Sequence, residues 1–158
     1  MKLSQGVEWG LHCATLLAQV PPGGLMRRDA LAGHFGLPEA YLSKHLQAMT
    51  RAGVLYANSG PKGGYRLARA PESVSVLDVV EAIEGAAPPF VCQEIRQRGT
   101  GASSPAECRR PCVVNTVMNE ADEAWRASLR SVTIAGLVAR LPDSVRTRNE
   151  ETLPRSAH

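Results

Sequence analysis

Three cysteines lie in the segment CQEIRQRGTGASSPAECRRPC, residues 92–112, which is rich in Gly, Ser and Pro. Such cysteines can form a disulfide, remain thiols or bind a metal as thiolates. Structural disulfides are rare in a reducing compartment, so metal or redox chemistry is favoured. For Cys108 and Cys112, two reduced thiols or a regulatory disulfide remain the alternative.

A second set of potential ligands occurs in the stretch VEWGLHC near the N-terminus. Glu8 and His12 are four positions apart, so on a helix they share one face and can hold one iron together. The same pair is also ordinary for an exposed helix surface. Cys13 is more typical of a small buried apolar residue than of a ligand. Zinc is chemically possible with these groups, although structural zinc sites seldom include a carboxylate.

Composition and charge narrow the class of protein. The net charge is +3, but residues 1–70 hold 8 Lys/Arg against 3 Asp/Glu and the remainder holds 10 against 12. A basic front half suits contact with a polyanion. No apolar run is long enough to span a bilayer, and MKLSQGVEWG lacks signal-peptide features, so a cytoplasmic protein is expected. No Rossmann glycine pattern, P-loop or Ser/His/Asp-like set occurs, which argues against an enzyme.

Apolar spacing predicts a mainly α protein. Helices are expected over residues 3–20, in MRRDALAGHFG and from Pro38 onward, where Leu42, Leu46 and Met49 share a buried face. The last two form a helix-turn-helix, and VLYAN and YRLAR flank a Gly/Pro-rich turn as a hairpin wing. Ser75 caps the next helix.

The C-terminal half is expected to serve dimerisation. PCVVNTVMNEADEAWRASLRSV forms an amphipathic helix that needs a partner to cover it, and TIAGLVARL folds back. The predicted domains are a winged helix-turn-helix domain at 1–85, a cysteine loop at 86–112, a dimerisation helix and fold-back helix at 113–141, and a disordered tail at 142–158.

The run GLPEAYLSKHLQAMTRAGVLYANSGPKGGYRLAR, residues 36–69, carries a family resemblance. Its GLPxxYL, its AG at 52 and 53 and its GGYxLA resemble the Rrf-type bacterial winged-helix regulators that include IscR, NsrR and RsrR, most of all the redox-sensing RsrR type. The resemblance covers roughly residues 1–140. It implies a homodimeric transcription factor that binds operator DNA and holds an iron–sulfur cluster in its cysteine loop.

The resemblance also implies a ligand set drawn from both subunits. Some members take a non-cysteine ligand from the N-terminal helix of the partner, which indicates Cys108 and Cys112 of one subunit with Glu8 and His12 of the other. Cys92 lies 16 positions before Cys108, and Cys108 lies 4 before Cys112, a longer and less even spacing than in other cluster regulators. This departure argues against Cys92 as a main ligand and leaves it as a possible alternative. Two thiolates with imidazole and carboxylate fit a 2Fe-2S cluster.

DNA contacts are predicted on the helix-turn-helix and the wing. Where regulators of the IscR kind often carry Arg before the wing glycine, this chain has Ser59. Two other functions stay open: a cofactor-free or thiol-responsive regulator of the same fold, and an electron-transfer or thiol oxidoreductase protein. The candidate DNA-binding residues are Arg27, Arg28, Tyr41, Ser43, Lys44, Gln47, Lys62 and Arg66.

Overall fold

The computed structural model describes residues 2–154 and separates the chain into two compact units. One unit joins residues 2–86 to the chain from Leu129 onward, and the other comprises Ala87–Ser128. Within the described residues, no helix is long and apolar enough to cross a lipid bilayer. The second unit contains both the segment expected to be the cysteine loop and most of the segment expected to be the dimerisation helix.

Three helices build the predicted helix-turn-helix and its support: α1 (Gln5–Leu17), α2 (Arg28–Phe35) and α3 (Glu39–Arg51). Leu42, Leu46 and Met49 are fully buried, as their spacing predicts. Gly36 ends α2 at φ 64°, a left-handed conformation that glycine adopts without a Cβ clash. Leu37 then donates its N–H to the carbonyl of Ala32 at 2.8 Å, which closes the turn into α3.

The wing is an antiparallel hairpin of β1 (Leu55–Asn58) and β2 (Gly64–Leu67). Leu55 pairs with Leu67 at its base, where both side chains are buried, and Asn58 pairs with Gly64 at its tip. Met26 pairs with β2 from outside the hairpin, because it exchanges two backbone hydrogen bonds of 2.9 Å with Tyr65. The segment before α2 is thereby fixed to the wing.

Helices α4 and α6 pack into the same unit. In α4 (Val76–Glu84), the Ser75 side chain accepts from the Asp78 N–H and the Asp78 carboxylate accepts from the Ser75 N–H, which is the predicted capping box. Ile134 opens α6 (Ile134–Ala139), is fully buried and donates to the Val74 carbonyl at 2.8 Å. The segment TIAGLVARL therefore folds back onto the winged-helix core, as expected.

The other unit holds the cysteine loop and most of the long helix α5 (Val113–Arg130). The loop contains single 3-10 turns at Ile95–Gln97 and Glu107–Arg109. None of the α5 side chains is buried, although its apolar residues lie on one side as the sequence indicates.

The prediction of a disordered tail over residues 142–158 is wrong for its first part, where α7 (Asp143–Thr152) forms. Asn149 is buried and its Nδ2 donates to the Gln19 Oε1 at 3.3 Å, while Leu153 packs against the hydrophobic core. The polar composition of α7 therefore hid one buried face. Residues 155–158 of the predicted tail lie outside the described residues.

The packing of α3 yields a stability prediction. Leu46→Ala is expected to lower the free energy of unfolding by about 2–5 kcal/mol, because it leaves a cavity beneath α3. Gln47→Ala, at the neighbouring exposed position, should change it by less than about 0.5 kcal/mol. Urea unfolding followed by circular dichroism measures both; equal losses would contradict the assigned orientation of α3.

Candidate nucleic-acid interface and thiol site

The outer face of α3 presents polar and aromatic groups to solvent. Tyr41 is 61% exposed, and the Lys44 ammonium lies 5.4 Å from the centre of its ring. Gln47 donates through Nε2 to the Ser43 hydroxyl at 3.4 Å. These four predicted residues lie together on the helix that can enter a major groove, where amide, hydroxyl and ammonium groups hydrogen-bond base edges or phosphates.

The predicted arginines at the start of α2 are engaged with carboxylates. Arg27 forms two hydrogen bonds of 3.0 Å to Asp29, and Arg28 donates to Glu39 at 2.6 Å. The Arg27 hydrogen bonds hold the pKa of Asp29 below its usual value. All four side chains are exposed, so phosphate can replace the carboxylates, but part of the positive charge is already compensated.

The wing carries the remaining two predicted cations. Arg66 lies over the Tyr56 ring, with its guanidinium carbon 4.3 Å from the ring centre. Lys62 is exposed in the turn and makes no ion pair within residues 2–154. A polar cleft of about 530 Å³ separates the wing tip from the starts of α2 and α3, with Arg27 and Arg28 in its wall. This cleft suits a DNA phosphate backbone that is contacted by the wing on one side and by the start of α2 on the other.

On α1, Glu8 and His12 are both exposed and line one surface groove with Leu3 and Leu11. The His12 ring packs against Phe35 of α2 at a centroid distance of 5.6 Å. Cys13, on the opposite side, is fully buried, and burial raises the pKa of its thiol to about 12. The structure therefore agrees with the interpretation of Cys13 as an apolar core residue and leaves Glu8 and His12 accessible.

Two residues of α1 close to Glu8, Gly6 and Trp9, contact α3 through His45. A Cβ added to Gly6 would lie 2.2 Å from the His45 ring carbon Cε1, so the imidazole rests directly on the α1 backbone. Trp9 packs edge-to-face with the same imidazole at a centroid distance of 5.9 Å. Because His45 belongs to α3, a displacement of α1 near Glu8 acts on α3 by contact.

The three loop cysteines lie around one arginine. Cys92 lies close enough to Cys112 to contribute to the lowered pKa of the Cys112 thiol, and Arg96 lies close enough to Cys112 and Cys108 to interact electrostatically with both. Arg96 also donates to Glu94 at 3.0 Å and to the Arg110 carbonyl at 3.1 Å, which ties the two ends of the loop together. All three cysteines are half-buried.

Cys112 occupies the N-cap of α5, since its carbonyl accepts the N–H of Thr116 at 2.9 Å. The backbone N–H groups of Asn115 and Val114 hydrogen-bond its sulfur and lower the pKa of the thiol, and Cys92 and Arg96 add to this effect. A helix N-terminus and a guanidinium thus stabilise the thiolate, which is the form that binds soft metals or attacks oxidants.

The predicted ligands are therefore distributed over two units: the three cysteines in 87–128, and Glu8 with His12 in the winged-helix unit. Across residues 2–154, no group of three or more His, Cys, Asp or Glu side chains is arranged to hold a metal ion. Sequence reasoning missed Arg96 and Glu94, although RQR beside a cysteine was a visible signal. It also missed His45, whose inward orientation no local pattern reveals.

Comparison with known proteins gives the family. The family model for Rrf2, described as an iron-dependent transcriptional regulator, matches residues 3–140. The chain belongs to the Rrf2 family of transcriptional regulators. YffB of Lactococcus lactis, named as a candidate HTH-type regulator, is 30% identical over 85% of each chain.

Solved structures support the same fold. CymR, the global cysteine regulator of B. subtilis, superposes with a TM-score of 0.68 at 22% identity, covering 90% of this chain and 99% of that one. IscR of T. potens superposes with a TM-score of 0.63 at 22% identity, covering 99% and 94%. The predicted mainly helical winged-helix fold is thereby confirmed, and the Rrf2 relatives are regulators rather than enzymes.

DNA binding by this Rrf2 chain should depend unequally on its cations. Lys62→Gln is expected to reduce the slope of log affinity against log salt by about 1, because an uncompensated charge meets phosphate. Arg27→Gln should reduce it by less, since Asp29 already shares that charge. Fluorescence anisotropy with operator DNA over a salt series measures the slope, and Arg140→Gln is the control. A larger loss for Arg27 than for Lys62 would refute this ranking.

Thiol reactivity should separate the cysteines. In reduced, metal-free protein, alkylation of Cys112 by iodoacetamide should begin at lower pH than for an ordinary thiol, because its lowered pKa places the thiolate at lower pH. Buried Cys13 should stay unmodified until the protein unfolds. Peptide mass spectrometry across a pH series gives both profiles. Early labelling of Cys13 would be incompatible with the core described above.

Proposed function

We propose that this Rrf2-family chain is a cytoplasmic, redox-sensing transcriptional regulator of the RsrR type, whose operator affinity is set by a 2Fe-2S cluster at the interface of a homodimer. Cys108 and Cys112 of one subunit and Glu8 and His12 of the other are its proposed ligands. The observation that carries the proposal is the thiol site, where the α5 N-terminus and Arg96 lower the pKa of the Cys112 thiol and Cys108 and Cys92 lie nearby.

The donor chemistry fits an iron–sulfur group. Thiolates suit iron in such clusters, and a bound cluster would supply one-electron redox chemistry at a potential that an imidazole ligand raises. The contact between Cys92 and Cys112 supports Cys92 as a further donor, more strongly than its distance in sequence suggested. Glu8 and His12 remain accessible on α1 for a second chain.

A homodimer is supported by the exposed apolar face of α5. Val114 and Val117 are 57% and 61% exposed, and Met118 and Val113 extend the same apolar surface. A contiguous apolar helix face of this kind usually marks a protein interface. A second copy provides the partner, because a two-fold dimer also matches two DNA half-sites.

The contacts of His45 give a route from ligand to DNA. A change in the position of Glu8 moves the α1 backbone at Gly6 and Trp9, and the His45 imidazole must follow because it touches both. His45 lies on α3, so the exposed face with Lys44 and Gln47 is reoriented. A bias of about 1.4 kcal/mol between two arrangements changes affinity tenfold.

A thiol-responsive regulator is the second candidate, and the Cys92–Cys112 contact favours it. Hydrogen peroxide can oxidise these two thiols to one disulfide while it is reduced to two molecules of water. The same geometry that stabilises the Cys112 thiolate makes it the attacking sulfur, with Cys92 as the resolving thiol. In this case the signal requires no iron.

Anaerobic purification followed by redox titration tests the proposal. Operator affinity should differ at least tenfold between dithionite-reduced and oxidised protein, and iron and labile sulfide should be present. Ala substitution of Cys108, Cys112, Glu8 or His12 should remove most of the iron. Cys13→Ala is the matched control, because that cysteine is buried in the core and should leave the iron content unchanged.

The same titration separates the two candidates. If iron-free protein treated with peroxide forms a Cys92–Cys112 disulfide and changes its operator affinity by the same factor, the thiol mechanism replaces the cluster mechanism. Equal operator affinity in all redox states would reject both.

A further inference from the structure

A cavity outside the thiol site lies within the winged-helix unit, between α1, α2 and α7. Its volume is about 700 Å³, which is within the range of small-molecule sites. Helix α7, which the sequence did not predict, forms one wall of the cavity through Val145, Arg148 and Asn149. The cavity shares His12 with the proposed cluster ligands, whereas the predicted DNA-binding residues, the apolar face of α5 and the loop cysteines lie outside it.

The wall combines apolar surface with cationic and neutral polar groups. Leu16, Phe35, Leu141 and Val145 supply the apolar part. Arg148 is exposed at the rim, and His12 and His34 are the other basic residues. The described lining contains no Asp or Glu, and no carboxylate within residues 2–154 forms an ion pair with Arg148. A ligand with an anionic end therefore meets no carboxylate among the lining residues.

Two polar side chains fix the inner end of the cavity. Asn149 is 7% exposed, its Nδ2 donates to the Gln19 Oε1 at 3.3 Å just after the end of α1, and its side chain lies next to His34 of α2. Burial lowers the pKa of His34, and the nearby Arg148 contributes in the same direction, so at neutral pH the imidazole is an uncharged hydrogen-bonding group. Arg148 is therefore the permanent charge, and Asn149 and His34 are orienting groups.

We propose that this cavity binds a small amphipathic carboxylate, with its apolar body against Leu16, Phe35 and Val145 and its carboxylate on Arg148. The planar guanidinium presents paired N–H donors that match the two oxygens of a carboxylate. A neutral head group lacks the negative charge that makes this pairing strong. The apolar walls hold the body by excluding water. The site is a second input to the regulator, separate from the cysteines.

The position of the cavity indicates which helices a bound ligand would affect. Its walls are α1, which carries His12, and α2, the first helix of the helix-turn-helix. An occupant beside Phe35 presses on the contact between these two helices. Any effect on operator affinity rests on the proposed function, whereas binding itself is measured without DNA or cluster.

The test is a titration of reduced, metal-free protein with phenylacetate and hexanoate, followed by NMR of the His12 and His34 side chains and the α7 amides. Phenylacetamide is the neutral counterpart of the first probe. Both carboxylates are expected to shift these signals saturably and to bind at least tenfold more tightly than the amide. Equal binding of phenylacetate and phenylacetamide, or shifts confined to other parts of the protein, would overturn the proposal.

Three variants locate the binding. Arg148→Gln should weaken phenylacetate at least tenfold and leave phenylacetamide within twofold, whereas Arg146→Gln, on the same helix but outside the cavity wall, should change neither. Gly33→Leu should weaken binding of both at least tenfold, because Gly33 lines the cavity and a Cβ added there meets no atom within 4 Å, so a larger side chain can be accommodated at the wall. Undiminished phenylacetate binding by Arg148→Gln or by folded Gly33→Leu would refute the site.

Discussion

The fixed packing of α1 is the constraint on which the rest of the winged-helix unit depends. Its inner side, with Val7, Ala14 and Leu17, is buried in the core, so the helix cannot rotate without exposing apolar surface. Its other side carries Glu8 and His12 in solvent. Because α1 is anchored on its inner side and carries potential ligands on its outer side, a displacement at Glu8 or His12 also moves the residues that α1 contacts. His45 of α3 is one of these residues, because its imidazole touches α1 at Gly6 and Trp9.

The thiol site follows a different physical logic, because it has almost no hydrophobic core to hold it. In the loop of residues 92–112, one guanidinium replaces packing: Arg96 joins Glu94 to the Arg110 carbonyl and faces two of the cysteines. The α5 N-terminus supplies further positive potential at Cys112. This positive potential lowers the pKa of the Cys112 thiol, and a more readily formed thiolate serves iron binding and peroxide chemistry equally. The choice between these two chemistries then depends on which further donors reach the thiolates.

The sequence predicted the winged-helix elements well, because their apolar spacing, the Ser75 cap and the wing glycines are local signals. It predicted α1 despite Gly6 and Gly10, and the structure explains why both are glycine: added Cβ atoms would meet His45 and Ile83 at 2.2 and 2.4 Å. Close approach outweighs helix propensity at both positions. Helix α7 was missed because one buried Asn and one flanking Leu anchor an otherwise polar segment, and such anchors depend on tertiary contacts. The convergence of Cys92 on Cys112 across twenty positions was likewise beyond any spacing rule.

The central claim, that donors from two chains complete one site, is tested most directly by subunit complementation. One variant lacks Cys108 and Cys112, a second lacks Glu8 and His12, and each alone should bind no cluster. In a heterodimer of the two, one site would combine the intact cysteines of the second chain with the intact Glu8 and His12 of the first. The account predicts one 2Fe-2S cluster per heterodimer, measured as iron and sulfide after anaerobic reconstitution. A heterodimer as empty as either parent would contradict it.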